Sequence, residues 1–222
     1  MRSSFFATVL IFVLAWPIGA DRATGSCSLA HYPVAAGDVN EYRTTTRQLD
    51  AEGGVVATTS SVYTERVMSV EMGRYRVATT MDGTTNDSVW LCTDEGLAMK
   101  IDEIPEMTIT TAGVSVPAGM DVGAEWTQTF DMDGPGIATR IATVNRVTAR
   151  EEITVPAGTF EAFRVDYEAR TTAPEESPSV TRGTQWFAVG TGIVRSTSVS
   201  DIDAEDVSRV ETTLELLKRT TR

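Results

Sequence analysis

From Phe163 to Arg170 the chain alternates. Phe163, Val165, Tyr167 and Ala169 fall in one phase, and Arg164, Asp166, Glu168 and Arg170 in the other. A period of two sends successive side chains to opposite faces of an extended backbone, so this stretch reads as a half-buried antiparallel strand. The signature recurs in weaker form along a Thr- and Val-rich chain, and those β-branched residues suit a pleated surface. Ser61–Val70 and Tyr75–Thr80 flank Glu71-Met72-Gly73-Arg74 and predict a hairpin turning on Gly73. Ser88–Thr93 and Leu97–Ile101 flank Asp94-Glu95-Gly96 and predict another.

Further strands are expected at Met107–Val116, Trp126–Phe130, Ile137–Thr148, Glu151–Val155, Gln185–Val189 and Gly192–Val199. The strongest turn signal is Asp131-Met132-Asp133-Gly134-Pro135-Gly136. Val207–Lys218 is read as the last strand, because Val210, Thr212, Leu214 and Leu216 alternate with Glu211, Thr213 and Glu215. A helix is its alternative, since Glu, Leu and Lys are also good helix formers. No segment carries a long helical period. Roughly ten to twelve short strands with regular turns predict an all-β protein. No linker rich in Gly, Ser or Pro divides it, so residues 21–222 are read as one β-rich domain.

The first 20 residues read as an export signal. Arg2 precedes the apolar run Phe5–Trp16, which is too short to span a membrane, and Pro17 and Ile18-Gly19-Ala20 follow as a cleavage site. Thr24-Gly25-Ser26-Cys27 resembles a bacterial lipobox and would instead place a lipid anchor on Cys27. In an oxidising compartment Cys27 and Cys92, the only cysteines, are expected to form a disulfide closing a loop of about 65 residues. The chain-entropy account puts its worth at roughly 4 kcal/mol.

Charge narrows the partners. The chain has 19 basic and 31 acidic residues, a net charge of −12. Removing the signal takes away Arg2 alone and leaves −13. That balance argues against nucleic acid and against anionic lipid headgroups, both of which select basic surfaces. After signal removal no stretch is long and apolar enough to span a membrane as a helix.

The chain also echoes itself. Gly37-Asp38-Val39-Asn40-Glu41-Tyr42 resembles Gly123-Ala124-Glu125-Trp126, each downstream of a proline, and Val116-Pro117-Ala118-Gly119 resembles Val155-Pro156-Ala157-Gly158. Two similar halves of one sheet and chance similarity both account for this.

These motifs resemble those of TapB-like bacterial exported proteins. Four stretches carry the likeness. They are Tyr32-Pro33 with Gly37 and Tyr42; Gly123 with Trp126; Val155-Pro156-Ala157-Gly158-Thr159-Phe160 with Phe163-Arg164-Val165; and Trp186-Phe187-Ala188 with Gly190, Gly192, Ile193 and Val194. Asn40 stands where the group has Trp. The resemblance implies a single curved antiparallel sheet, a half-barrel like the lipoprotein-sorting LolA proteins. It brings no catalytic residue, because the motifs are turns and core anchors.

The residues themselves offer little chemistry. Ser-His-Asp catalysis would need His31, the only histidine, and no Gly-x-Ser-x-Gly elbow is present. No carboxylate is singled out by an apolar setting, so a secreted hydrolase is the least favoured reading. No motif calls for a cofactor. Asp201, Asp203 and Glu205 are weak calcium candidates, as are Asp131 and Asp133, and solvated acidic turns are the plainer reading of both. Trp90, Trp126, Phe163, Tyr167, Trp186 and Phe187 either fill the core or line a concave face for an apolar guest. The sequence therefore points to an exported, non-enzymatic binding or scaffold protein of the cell envelope, whose partner would be a lipid or an envelope protein. A carrier of a lipid or lipoprotein acyl chain is the alternative.

Overall fold

Extended runs, many of them rich in β-branched residues, need partners for their backbone polar groups, and each finds them in the run beside it. A computed structural model of the chain describes residues 35–71, 73–100, 106–174, 176–204 and 207–221. The strands are β1 (Val39–Leu49), β2 (Val55–Glu71), β3 (Arg74–Met81), β4 (Thr84–Thr93), β5 (Gly96–Lys100), β6 (Thr108–Gly113), β7 (Val116–Pro117), β8 (Glu125–Gly134), β9 (Ile137–Val155), β10 (Gly158–Ala173), β11 (Glu176–Ala188), β12 (Gly192–Ala204) and β13 (Val207–Thr220). They form one antiparallel sheet in the order β6-β8-β9-β10-β11-β12-β13-β1-β2-β3-β4-β5-β7. The described residues contain no helix, and the sheet does not close into a barrel. The export signal, His31, Tyr32-Pro33 and Cys27 lie outside the described residues.

Most strands are longer than the sequence suggests, although the expected strand Met107–Val116 divides into β6 and the two-residue β7, which lie at opposite edges of the sheet. Ile137–Thr148 and Glu151–Val155 are one strand of 19 residues, β9. Val147 pairs with Val165 and Ala149 with Arg164, leaving Thr148 as a bulge that breaks the alternation without ending the strand. The last segment is a strand, and Leu214 and Leu216 are buried against the core. Its helix-forming residues yield to a position between β12 and β1.

The sheet curls strongly. Its outermost strands, β6 and β7, are consecutive in sequence and joined by two residues, 114–115. Opposite edges therefore meet at one corner. There the Thr111 hydroxyl donates to the Met99 carbonyl at 3.3 Å, and the Ser115 amide to the Leu97 carbonyl at 2.7 Å. The β9–β10 turn also reaches across the curl, the Ala157 amide donating to the Leu216 carbonyl at 3.2 Å. The core gathers inside, with Tyr42, Val67, Tyr75, Trp90, Leu97, Val147, Phe163, Val165, Leu214 and Leu216 buried.

The echo in the sequence is a structural repeat. Gly37 and Gly123 have φ of 96° and 94°. The Gly37 amide donates to Val67 O and the Gly123 amide to Val147 O, both at 2.8 Å. The Val67 amide returns to Asp38 O and the Val147 amide to Ala124 O, both at 2.9 Å. Each valine is followed by a bulged residue, Met68 or Thr148. Cross-strand pairs correspond in turn: Asn40–Glu65 with Trp126–Asn145, Val67–Val77 with Val147–Val165, and Tyr75–Trp90 with Phe163–Phe187. The meander β1–β5 is thus a second edition of the meander β8–β12.

Candidate functional site

The aromatic residues that the sequence nominates for an apolar-ligand face do not gather into one opening. Trp90 and Phe163 are buried in the core, and Trp90 stacks on Tyr75 with ring centroids 6.2 Å apart. The Arg150 guanidinium lies 5.6 Å over Phe163. Trp126 and Trp186 pack partly buried against the core. The Trp186 indole N–H donates to Glu151 Oε1 at 2.7 Å, and Arg195 lies 5.6 Å over its ring. Tyr167 rests on Gly183, its cross-strand partner, whose missing side chain makes room for the ring. Ser198 and Ser196 flank the Tyr167 hydroxyl, which burial pushes above its ordinary pKa.

Two recesses among the described residues have walls of mixed character. The larger of the two, about 410 Å³, surrounds Gly183 between the apolar surfaces of Tyr167 and Val199 and the polar Arg164, Asp166 and Thr184. Asp166 accepts from Thr184 at 2.7 Å and from Arg164 at 3.2 Å, and these bonds hold its carboxyl below the usual range despite partial burial. The smaller, about 250 Å³, lies at the β1–β2 tip beside Asp50, Glu52 and Arg209.

Two of the weak calcium candidates are engaged in ion pairs with arginines. Asp201 is exposed and pairs with Arg209 at 3.2 Å, and Asp131 pairs with Arg140 at 3.2 Å. The Asp203 side chain and Glu205 lie outside the described residues. Half-buried Cys92 packs against the core, and its expected partner Cys27 is outside the described part.

The most unusual chemistry was not nominated by the sequence reading. On the inner face of β1–β3, Glu65 is 2% exposed. Its cross-strand neighbours are Asn40 on β1 and Thr79 on β3. Among the described residues, Glu65 Oε2 has no hydrogen-bond partner and no cation lies within ion-pair distance of the carboxyl. Burial pushes its pKa well above the ordinary value of 4.5. Tyr42 and Tyr75 are also buried, and their phenols are raised first by burial and then by the Glu65 charge. Asn40 Nδ2 donates to the Tyr42 hydroxyl at 3.1 Å, which donates to the Ile193 carbonyl at 3.2 Å. Arg219, in register with Asn40 from the other side, bonds Gly190 O and Thr191 Oγ1, with Asp38 Oδ2 3.9 Å away.

One signal for this group was available. Tyr63, Glu65 and Val67 share a phase, so Glu65 is an ionisable residue in step with apolar neighbours.

The arrangement buries a carboxyl and two phenols among packed strands. A family model covers residues 37–203, from the first repeat's glycine turn through β12, with the description DUF3108-like. The chain belongs to the DUF3108-like family. That name assigns no activity. None of the curated proteins matches the chain by sequence.

Among solved structures, the chain is similar to a Bacteroides fragilis protein inferred to be exported and assigned a YmcC-like fold. That match has a TM-score of 0.57 and 16% identity, and covers 93% of this chain and 100% of the other. A Parabacteroides distasonis protein inferred to be a lipoprotein gives 0.49 at 18% identity, covering 84% and 96%. The hypothetical lipoprotein YmcC of Escherichia coli gives 0.41 at 10%, covering 85% and 87%. At 16% identity the first likeness is one of fold.

Proposed function

We propose that this DUF3108-like protein is an exported, non-enzymatic component of the cell envelope that works by presenting a rigid sheet to a binding partner. The observation that carries this reading is the inner face. Its aromatic and aliphatic residues are packed against one another. A large sheet whose interior is occupied by its own side chains offers its outer surface for use. Export is supported by the signal-like residues 1–20 and by the fold shared with a protein inferred to be exported. The TapB-like kinship, the LolA-like half-barrel and the Cys27–Cys92 disulfide belong to the same reading, as does a lipid anchor as the competing fate of Cys27.

Expression of the full chain in a bacterial host, followed by fractionation and intact mass, tests the export half. A mature envelope species beginning at residue 21, or a lipidated one beginning at Cys27, is expected, and an unprocessed cytoplasmic chain refutes it. Saturable turnover of a defined substrate by the purified mature protein would overturn the non-enzymatic half. Native mass spectrometry without detergent decides against the acyl-carrier alternative if the protein is consistently empty, and for it if a lipid travels with the chain.

A further inference from the structure

The two repeats solve the same packing problem with different chemistry. At the position where the second repeat pairs Trp126 with Asn145, the first pairs Asn40 with Glu65. Both members of the first pair are buried, and so is Asn145. Only the first repeat therefore places an ionisable group there. A carboxylate without a counter-ion in an apolar interior is several kcal/mol less stable than in water. The site must keep its proton or admit water.

The surroundings state which groups would feel the change. Tyr42 faces Glu65 from β1 and Tyr75 from β3, both as neutral phenols. Tyr63 lies on the same strand, and Thr79 is the β3 partner. Arg219 on β13, the register partner of Asn40, is turned toward Asp38 and the Gly190–Thr191 turn. Among the described residues, Arg219 Nε and Tyr75 Oη are themselves buried without hydrogen-bond partners. Just beyond, the Gly37–Asp38 turn is pinned to Val67 by two backbone hydrogen bonds of 2.8 and 2.9 Å. Water drawn to an ionised Glu65 would enter at this corner.

We propose that the Asn40–Glu65 pair is a proton-operated latch: with the carboxyl protonated the β1–β3 segment of the curl is shut, and its ionisation admits water and loosens that segment alone. The linkage has a definite sign. The folded state binds the proton more tightly than the unfolded or opened state. Stability from the closed latch is therefore complete below the ordinary carboxyl pKa and is lost as pH rises above it. One linked proton raises the opening constant by about tenfold per pH unit until the folded carboxyl itself ionises.

Native-state amide exchange of the mature protein from about pH 5 to about pH 8, corrected for the intrinsic pH dependence of exchange, tests this. Core amides of β1–β3 should lose protection with a slope approaching tenfold per pH unit, while those of β9–β12 hold theirs. Glu65→Gln, and Glu65→Asn, which copies the second repeat, should abolish the slope. Equal loss across both repeats, no slope in wild type, or a slope persisting in either variant would overturn the latch. Should neither variant fold, infrared difference spectra of wild-type protein with labelled glutamate decide. A protonated, unhydrated carboxyl at neutral pH supports the proposal, and its absence overturns it.

Discussion

Gly183→Ala is the sharpest test of how the larger recess is built. Gly183 lies between Tyr167 on β10 and Ser198 on β12. An added Cβ would sit 2.6 and 2.7 Å from Tyr167 Cε1 and Cζ, and closer still to the Thr197 carbonyl oxygen. The ring can swing away, but the carbonyl belongs to the β12 backbone and cannot move without pulling on the sheet. Overpacking of this kind costs about 1–3 kcal/mol. Replacing a strand glycine by alanine returns roughly 0.5–1 kcal/mol of backbone entropy. The net expectation is a loss of about 1–2 kcal/mol, or roughly 2–8 °C in Tm for a chain of this size.

Urea unfolding followed by tryptophan fluorescence, with an unchanged m-value, measures it. In a Tyr167→Ala background the loss should persist, because the backbone contact is the nearer one. Gly183→Ala as stable as wild type, or a penalty that vanishes when Tyr167 is cut back, would refute the argument.

Other expectations follow from single contacts. Tyr42→Phe removes a buried hydroxyl that joins Asn40 to the Ile193 carbonyl, and should cost about 1–3 kcal/mol in denaturant midpoint; an unchanged midpoint counts against that bridge. Glu211→Gln breaks the exposed Arg47 pair at 3.1 Å and should stay within about 0.5 kcal/mol of wild type at physiological salt, so a larger loss would mean that the surface lattice is cooperative. The non-reduced mature protein should be two hydrogens lighter than its reduced form, and a free thiol at Cys92 would dismiss the disulfide.

What could be read in the sequence depended on how unequal the two faces of a strand are. Phe163 and Val165 are buried while Arg164 and Asp166 pair at the surface, so β10 was legible from alternation alone. The first half of β2, from Val55 to Ser60, is exposed or nearly so on both faces, and no periodicity survives there to announce a strand. In β9 the bulge at Thr148 resets the phase, which made one strand look like two. The internal echo needed the backbone hydrogen bonds of Gly37 and Gly123 to become a repeat, because the side chains between them have diverged. Glu65 was hidden for a different reason. Carboxylates are overwhelmingly solvated, so one in step with Tyr63 and Val67 is easily counted with the rest.

The meeting of β6 and β7 bears on how the protein behaves at high concentration. A long sheet normally ends in two rows of unpaired amides and carbonyls, which recruit further copies. Here one terminal strand is two residues long, and the other leans on β5 through the Thr111 hydroxyl. The sheet uses each of its edges to cover part of the other, which leaves less open strand on which a further copy could pair. Shortening the link at 114–115 would pull that corner tight, whereas cutting it would release both edges at once and turn a discrete particle into a seed.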